Sequence, residues 1–246
     1  LASTGLPQGR ELEILNRYRG RVPDAVFTEE YRLPVTDGSG NNREGLRRAL
    51  ALLQQAGWRV QDRRLVNAQG QRFEFEILLN GATFERIALP YVQWLERLGM
   101  SVRVRTVDPA QYQARIDAFD YDMTVDSMGQ SLSPGNEQRD YWTCQKAREN
   151  GSQNVAGICD PVVDELVELV VSAPDREELV ARTRALDRVL LHHNFVIPQW
   201  HGRVFRIAWW DKFGRPERNP RYALGLDSWW VDPARERALA EARRTL

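Results

Sequence analysis

The sequence has very little lysine, histidine and cysteine. Of its 34 basic residues only Lys146 and Lys212 are lysines, so arginine carries nearly all of the positive charge. Such a skew is more typical of the coding bias of a genome than of phosphate recognition. With two cysteines and three histidines, neither a Cys-x-x-Cys nor a His-Glu-x-x-His pattern occurs. A zinc or redox motif is therefore not indicated.

Net charge and long apolar runs are absent as well. The 34 acidic residues balance the 34 basic ones, which removes the electrostatic footprint of a general nucleic-acid-binding protein. No apolar run approaches the ~20 residues that a membrane-spanning helix needs. Hydrophobic residues make up 42% of the chain and charged residues 28%, values typical of globular proteins. Because the chain starts at Leu1 rather than Met, we expect a mature or truncated product.

Catalytic motifs are also missing. There is no Gly-x-Ser-x-Gly elbow and no Walker-type glycine-rich loop. His192 and His193 are adjacent near the end of a predicted helix, so they point about 100° apart and cannot jointly bind one metal ion. His201 is isolated. The aspartates within residues 120–126 share one strand face at best, which is a weak sign of acid–base chemistry. We expect no catalytic activity, no metal and no cofactor.

Cys144 and Cys159 are the only two cysteines and lie fifteen residues apart. Two interpretations remain open. In an exported protein they could form a disulfide that closes the intervening loop, which would contribute ~3 kcal/mol in the chain-entropy model. They could also be two unrelated thiols.

The chain divides into three predicted segments. Residues 1–42 form an irregular lead-in that is rich in proline and glycine, with one short helix over residues 11–19. So long an irregular start favours packing against something outside the chain. Residues 43–200 are regular and are predicted to form an α/β domain. Residues 201–246 form a C-terminal segment that ends in a polar helix.

The clearest architecture lies in the middle of the chain. Residues 73–79, 102–106 and 121–125 alternate apolar and polar side chains as strands do. Amphipathic helices separate these three strands, which predicts a βαβαβ unit with parallel strands in a parallel or mixed sheet flanked by helices. Two further helices follow a long loop. Residues 195–200 and 204–210 are predicted to be additional strands.

Ligands of open α/β sheets bind beyond the carboxyl ends of the strands. Here those ends fall at Asn80, Asp108 and Asp126, and the third strand runs into a polar loop over residues 127–142. Its carboxylates suit an amine, Arg139 suits a carboxylate, and its aromatic rings suit apolar side chains. A solvated surface loop is the alternative. The candidate ligand-binding residues are Asn80, Asp126, Ser127, Ser133, Asn136, Glu137, Arg139, Trp142 and Trp200.

Four stretches are similar to one known family. They are residues 36–43 (TDGSGNNR), 51–58 (ALLQQAGW), 131–138 (SLSPGNEQ) and 157–164 (GICDPVVD). Each motif is weak alone, but their combination resembles the family 5 extracellular solute-binding proteins of ABC importers. The nearest branch is the one associated with oligopeptide and microcin C uptake, and the likeness extends from about Leu1 to Trp230.

The resemblance implies a periplasmic-binding-protein fold, in which two lobes close over a ligand and present it to a membrane permease. Members are at least about twice as long, so this chain would be the C-terminal part. It would comprise most of the second lobe, with residues 201–246 returning to a missing N-terminal lobe. The implied partners are an oligopeptide or peptide-like ligand and ABC permease subunits, in the periplasm. In peptide-binding members an acidic residue holds the peptide amino terminus, which points to Asp126 or Glu137.

Two other functions compete with binding for import. One is a periplasmic hydrolase that acts on peptides or glycans at the same loop, and the other is a ligand-sensing module. Cleavage products from a peptide library would identify the hydrolase, and co-purification with a receptor would identify the sensor. Because one lobe offers only half of a cleft, we predict weak or undetectable peptide binding by this chain alone.

Overall fold

Residues 1–200, 202, 204–218, 220 and 223–244 are described by the computed structural model. They fall into two compact units, Leu1–Ile197 and Pro198–Leu246. His201, which the sequence analysis singles out as an isolated histidine, lies outside the described residues. None of the described helices is both long and apolar enough to cross a membrane.

The first unit contains both helices and strands. Its helices are α1 (Gly9–Asn16), α2 (Ala25–Thr28), α3 (Arg43–Gln55), α4 (Glu85–Glu96), α5 (Pro109–Asp117), α6 (Glu137–Trp142), α7 (Pro161–Val171) and α8 (Arg176–His193). Its strands are β1 (Arg59–Gln61), β2 (Arg64–Val66), β3 (Glu74–Asn80), β4 (Ser101–Val107) and β5 (Met123–Thr124).

The predicted parallel sheet is confirmed. The strand order is β4-β3-β5, and β3 pairs in parallel with both neighbours. Helix α4 connects β3 to β4 and helix α5 connects β4 to β5, so each crossover passes through a helix as parallel pairing requires. Apolar side chains of β3, β4 and α4 form one buried cluster, made of Ile77, Leu79, Ala88, Val92 and Val102.

A second buried cluster joins the two ends of this unit. Helices α1 and α2 contribute Ile14, Leu15 and Val26, which pack with apolar residues of α7 and α8. Arg188 of α8 is 1% exposed and donates a hydrogen bond to Glu11 of α1 at 2.6 Å. The expectation that the lead-in packs against something outside the chain is therefore wrong for these two helices. They cover the apolar faces of α7 and α8 instead.

Cys144 and Cys159 form a disulfide, which answers the question that the sequence left open. The loop between them is also held by Asn154, which is 1% exposed. Its side-chain amide donates to the carbonyl oxygens of Thr143 and Ile158, and its Oδ1 accepts the N–H of Ile158. The long segment between α6 and α7 is thus ordered by side-chain bonds rather than by regular secondary structure.

The second unit is small and contains five of the eight tryptophans of the chain. It contains β6 (Phe213–Gly214) and β7 (Trp230–Val231), which pair antiparallel, and helix α9 (Pro233–Arg244). The predicted strands over residues 195–200 and 204–210 do not form. Their alternating pattern is strand-like, but no described segment pairs with them, and a strand requires a hydrogen-bonded neighbour.

Candidate functional site

The carboxyl edge of the sheet brings two of the candidate residues together. β3 and β5 pair with Ile77 opposite Met123 and Leu78 opposite Thr124. Asn80 is the last residue of β3, and Asp126 follows Thr124 of β5 by two residues, so both lie at or just beyond the carboxyl edge of the sheet. Both residues are exposed. An amide and a carboxylate are therefore found at the edge where α/β sheets bind their ligands.

The end of β4 contributes to the same edge, but its aspartate serves the fold. Asp108 Oδ1 accepts the backbone N–H groups of Ala110 and Gln111, both at 3.0 Å. Pro109 occupies the first turn of α5, where a missing N–H costs nothing. Asp108 is thus the N-cap of α5, as its position before a proline predicts, and it is engaged locally.

Partly buried hydroxyl groups hold the strand that precedes Asp126. Thr124 Oγ1 donates to the Leu78 carbonyl oxygen at 3.0 Å and lies 2.9 Å from Tyr112 Oη. Tyr121 donates its hydroxyl to the Val155 carbonyl oxygen at 2.7 Å. Burial, followed by the charges of neighbouring groups, raises the pKa of Tyr121 to about 12. These bonds fix the direction in which the chain leaves β5.

A buried glutamine tethers the loop that follows Asp126. Gln138 is 4% exposed, and its Nε2 donates to Gln130 Oε1 of the loop at 2.8 Å. Its Oε1 accepts the indole N–H of Trp142 at 2.9 Å. Arg176 at the start of α8 donates to the Leu132 carbonyl oxygen at 2.6 Å. The polar loop is therefore held from both α6 and α8, although most of residues 127–133 are exposed to solvent.

Trp142 is not available as a surface for ligand side chains. It is 9% exposed and belongs to the buried cluster of α1, α7 and α8. Its candidacy rested on its place in a polar loop, but residues 137–142 fold into helix α6 and turn the indole inward. Its indole N–H is already bonded to Gln138, as a buried donor requires.

Arg139 is also engaged within the protein. Its Nε and Nη2 each donate to one carboxylate oxygen of Glu168 on α7, both at 2.6 Å. Arg139 Nη1 also donates a hydrogen bond to Asn136 Oδ1, so the side chain of Asn136, another candidate residue, is engaged as well. The hydrogen bond from Arg139, opposed by partial burial, lowers the pKa of Glu168. The paired arrangement leaves no free guanidinium fork at this position for a ligand carboxylate.

The structure distinguishes between the two acidic candidates. Burial tends to raise the pKa of Glu137. Hydrogen bonds to its carboxylate from the N–H groups of Gly135, Glu137 and Gln138 together outweigh this effect, so the pKa is lowered. Glu137 thus already accepts bonds from its own turn. Asp126 forms no hydrogen bond or ion pair with any described residue. Of the two carboxylates, Asp126 is the one free to receive a ligand group.

The remaining candidates are divided between the two units. Ser127 follows Asp126 directly and is exposed, and Ser133 is exposed on the tethered loop, with its Oγ 3.4 Å from Arg176 Nη1. Trp200 lies in the second unit and is 62% exposed. The described residues contain no cluster of three or more histidine, cysteine or carboxylate side chains that could hold a metal ion.

Sequence reasoning missed the residues that hold the loop. Gln130, Gln138 and Arg176 are polar residues in polar stretches, and nothing in their spacing marks Gln138 as buried. Tyr112 is predicted only as part of the apolar face of α5, whereas its hydroxyl supports the end of β5. Their roles depend on contacts between residues far apart in the sequence, such as Arg176 and Leu132, so no local signal could have revealed them.

Comparison with known proteins gives the family. Residues 18–150 match the sequence profile of bacterial extracellular solute-binding proteins, family 5, in its middle part. The chain belongs to this family. The match includes the whole βαβαβ unit, the loop after β5 and helix α6. Family 5 consists of binding proteins, in agreement with the resemblance noted from the sequence.

Curated relatives are similar to nearly the whole length of this chain. The chain is 53% identical over 236 residues to the uncharacterized protein y4wM of Sinorhizobium fredii. The aligned region covers 95% of the chain and 36% of that protein. It is 47% identical over 236 residues to the probable peptide-binding protein YejA of Agrobacterium fabrum, with 95% and 38% covered. The chain therefore spans little more than a third of the length of the curated relatives it matches.

Solved structures show the same fold. The oligopeptide-binding protein AppA of Bacillus subtilis, solved in complex with a nonapeptide, superimposes with a TM-score of 0.60 at 17% sequence identity. The superposition covers 91% of this chain and 45% of AppA. This likeness establishes a periplasmic-binding-protein fold for the chain.

Proposed function

We propose that this chain is the C-terminal part of the substrate-binding component of an ABC importer, which binds peptides or peptide-like solutes in the periplasm. The observation that carries the proposal is the carboxyl edge of the sheet, where β3 ends at Asn80 and where Asp126, just after β5, has no partner among the described residues. Membership in family 5 and the name of the YejA relative support the same function.

The charges at this edge favour the amino end of a ligand. Asp126 is the only one of the two candidate carboxylates without a partner among the described residues. The nearby guanidinium groups of Arg139 and Arg176 are bonded to Glu168 and to the Leu132 carbonyl oxygen. An ammonium group therefore finds an acceptor here, and the carboxyl end of a peptide must be held elsewhere. Asn80, Ser127 and Ser133 would bond the polar main chain.

The opposite wall of the cleft would belong to a first lobe outside this chain. Residues 201–246 would return to that lobe, and the aromatic and aliphatic side chains of this segment suit such packing. Among the described residues of this segment, Val204, Phe205, Trp210 and Trp230 are each more than half exposed, at 64%, 63%, 57% and 52%. A hinge motion between the two lobes would close the cleft around the ligand.

The function proposed is binding without chemistry. The free carboxylate at the site has neither a histidine nor a second free carboxylate next to it in the described edge, and a hydrolase needs such a partner. Mass spectrometry of a peptide library incubated with the protein checks this point. Cleavage products that disappear in Asp126→Asn would establish a hydrolase and contradict the proposal.

Amine recognition can be tested on the chain by NMR. We expect millimolar trialanine to shift the amide signals of residues 80 and 126–136, and N-acetylated trialanine to shift them far less. In Asp126→Asn the affinity for trialanine should fall about tenfold, since the bond lost is charge-assisted. Asp62→Asn is the matched control, because Asp62 is an exposed aspartate without a described partner on the β1–β2 turn.

Two outcomes would contradict the proposal. Equal shifts with free and acetylated peptide would show that Asp126 does not hold an amine. Micromolar or tighter binding of trialanine by the chain, measured by calorimetry, would show that the cleft is complete without a second wall.

A further inference from the structure

Seven arginines lie within a stretch of thirty residues and form no ion pair with any described residue. They are Arg43, Arg47, Arg48, Arg59, Arg63, Arg64 and Arg72, and all are exposed. None of their side chains forms a hydrogen bond or an ion pair with another described residue. Only two acidic residues, Glu44 and Asp62, occur in the same stretch. We call these seven residues the arginine face.

Several arginines elsewhere in the first unit are ion-paired, although others, such as Arg148 and Arg184, form no ion pair with a described residue. Arg21, Arg115 and Arg139 pair with carboxylates at 2.7, 2.9 and 2.6 Å. The genome-wide preference for arginine that explains the lysine deficit therefore does not explain why one segment lacks acidic partners. A chain of zero net charge carries a local excess of five positive charges, seven minus two, over residues 43–72.

The hairpin part of the arginine face lies away from the candidate ligand site. The β1–β2 hairpin is anchored by the Leu65 N–H, which donates to the Gly99 carbonyl oxygen at 2.8 Å, next to the start of β4. Gly99 has a φ of +87°, and a Cβ there would lie 2.8 Å from Leu65 N, so only glycine permits this approach. The hairpin therefore sits at the amino edge of the sheet, whereas Asp126 follows the carboxyl edge.

Apolar groups are interspersed with these charges. Helix α3 places Leu46, Ala49, Leu50 and Leu53 on one stripe, yet no residue of α3 is buried. Leu52 on α3 is 56% exposed, and Val60 on the hairpin is 48% exposed. A helix of 13 residues is about 20 Å long, so charges and apolar groups are spread over a wide surface rather than gathered around a pocket.

We propose that the arginine face docks on an anionic phospholipid surface. Planar guanidinium groups bond phosphate oxygens in pairs, and an amphipathic helix with basic residues beside an incompletely buried apolar stripe is typical of proteins that lie on membranes. The exposed Leu52 and Val60 favour a lipid surface over an acidic protein, since a purely electrostatic partner would not use them. Docking through this face leaves the carboxyl edge of the sheet open to ligand.

Vesicle flotation tests the proposal on the chain itself. We expect binding to vesicles of equal parts phosphatidylglycerol and phosphatidylcholine at low ionic strength, and none to vesicles of phosphatidylcholine alone. Binding should be lost at about 1 M salt, where the Debye length is about 3 Å. Each arginine near an anionic surface contributes about fivefold in affinity.

Paired substitutions locate the surface. Arg47→Gln with Arg48→Gln on α3, or Arg63→Gln with Arg64→Gln on the hairpin, should each weaken vesicle binding about thirtyfold. The matched control is Arg148→Gln with Arg184→Gln, which removes the same charge at exposed arginines outside the face. An unchanged midpoint of thermal unfolding will show that each variant is folded.

Three results would overturn the proposal. They are failure to bind the anionic vesicles at low ionic strength, binding that the control pair weakens as much as the α3 pair does, and saturable binding to an acidic protein in preference to the vesicles. None of them bears on amine recognition at Asp126, because that site lies at the opposite edge of the sheet.

Discussion

Removal of the Glu11 carboxylate should destabilise the first unit strongly. Glu11 and Arg188 are joined at 2.6 Å, with side chains only 9% and 1% exposed. Glu11→Ala leaves the guanidinium buried without a counter-charge, a change that costs about 3–5 kcal/mol in proteins. Arg188 keeps two acceptors, the carbonyl oxygens of Gly5 and Thr4. We therefore expect the lower end, about 3 kcal/mol.

The measurement is the free energy of unfolding from urea denaturation, with a thermal midpoint as a second readout. For a unit of this size, about 3 kcal/mol corresponds to a fall of about 6–12 °C in the midpoint. Glu13→Ala is the matched control on the same helix, because Glu13 is 65% exposed and pairs only at the surface. It should change the unfolding free energy far less.

A double-mutant cycle separates the buried charge from lost packing. Combining Glu11→Leu with Arg188→Met removes both charges, and the double variant should lose much less stability than the two single variants together. If the single losses simply add, or if Glu11→Ala unfolds like Glu13→Ala, then the pair does not hold α1 against α8 and the reasoning is refuted.

Two further predictions concern the site loop and the strand before it. Gln130→Ala removes the hydrogen bond to Gln138, which contributes a net ~1 kcal/mol. Amide hydrogen exchange in residues 127–136 should therefore rise about fivefold, while the thermal midpoint stays constant. Unchanged exchange would show that this bond does not hold the loop. Burial raises the pKa of Tyr121 from 10.0 to about 12, so the folded state favours the neutral phenol. Its stabilising contribution is complete below pH 10.0 and is lost as the pH rises toward about 12. Tyr121→Phe should show a smaller loss of stability in that alkaline window, and an equal loss would disprove the assignment.

The parallel sheet could be predicted from the sequence because its signals are local. Alternation along residues 73–79 and 102–106, and the Asp108-Pro109 pair at the start of α5, each depend on neighbouring residues. The role of the lead-in could not be predicted, since α1 owes its burial to α8, 177 residues away at the Glu11–Arg188 pair. Likewise the strand pattern of residues 204–210 carries no information about whether a partner strand exists.

The candidate site was predictable in position but not in detail. The sequence predicts that Asn80 and Asp126 follow the carboxyl ends of strands, and the structure agrees; that a ligand binds there stays a proposal. Which side chains are free is set by tertiary contacts, and these reassign Arg139 to Glu168 and Trp142 to the core. Side-chain bonds such as that of Gln138 to Gln130 have no periodic signature, so they emerge only from the folded chain.

The nested order of the first unit has a consequence for how the protein folds. The helical cluster is made of the first and last helices of the unit, and the whole βαβαβ unit is inserted between them. The sheet can form from a continuous stretch of chain, but α1 and α2 have no surface to cover until α7 and α8 exist. A nascent or translocating chain therefore holds its first apolar helices uncovered while more than a hundred residues follow. Because loop closure over so many residues is costly, we expect closure of this core to be a late and slow step in folding.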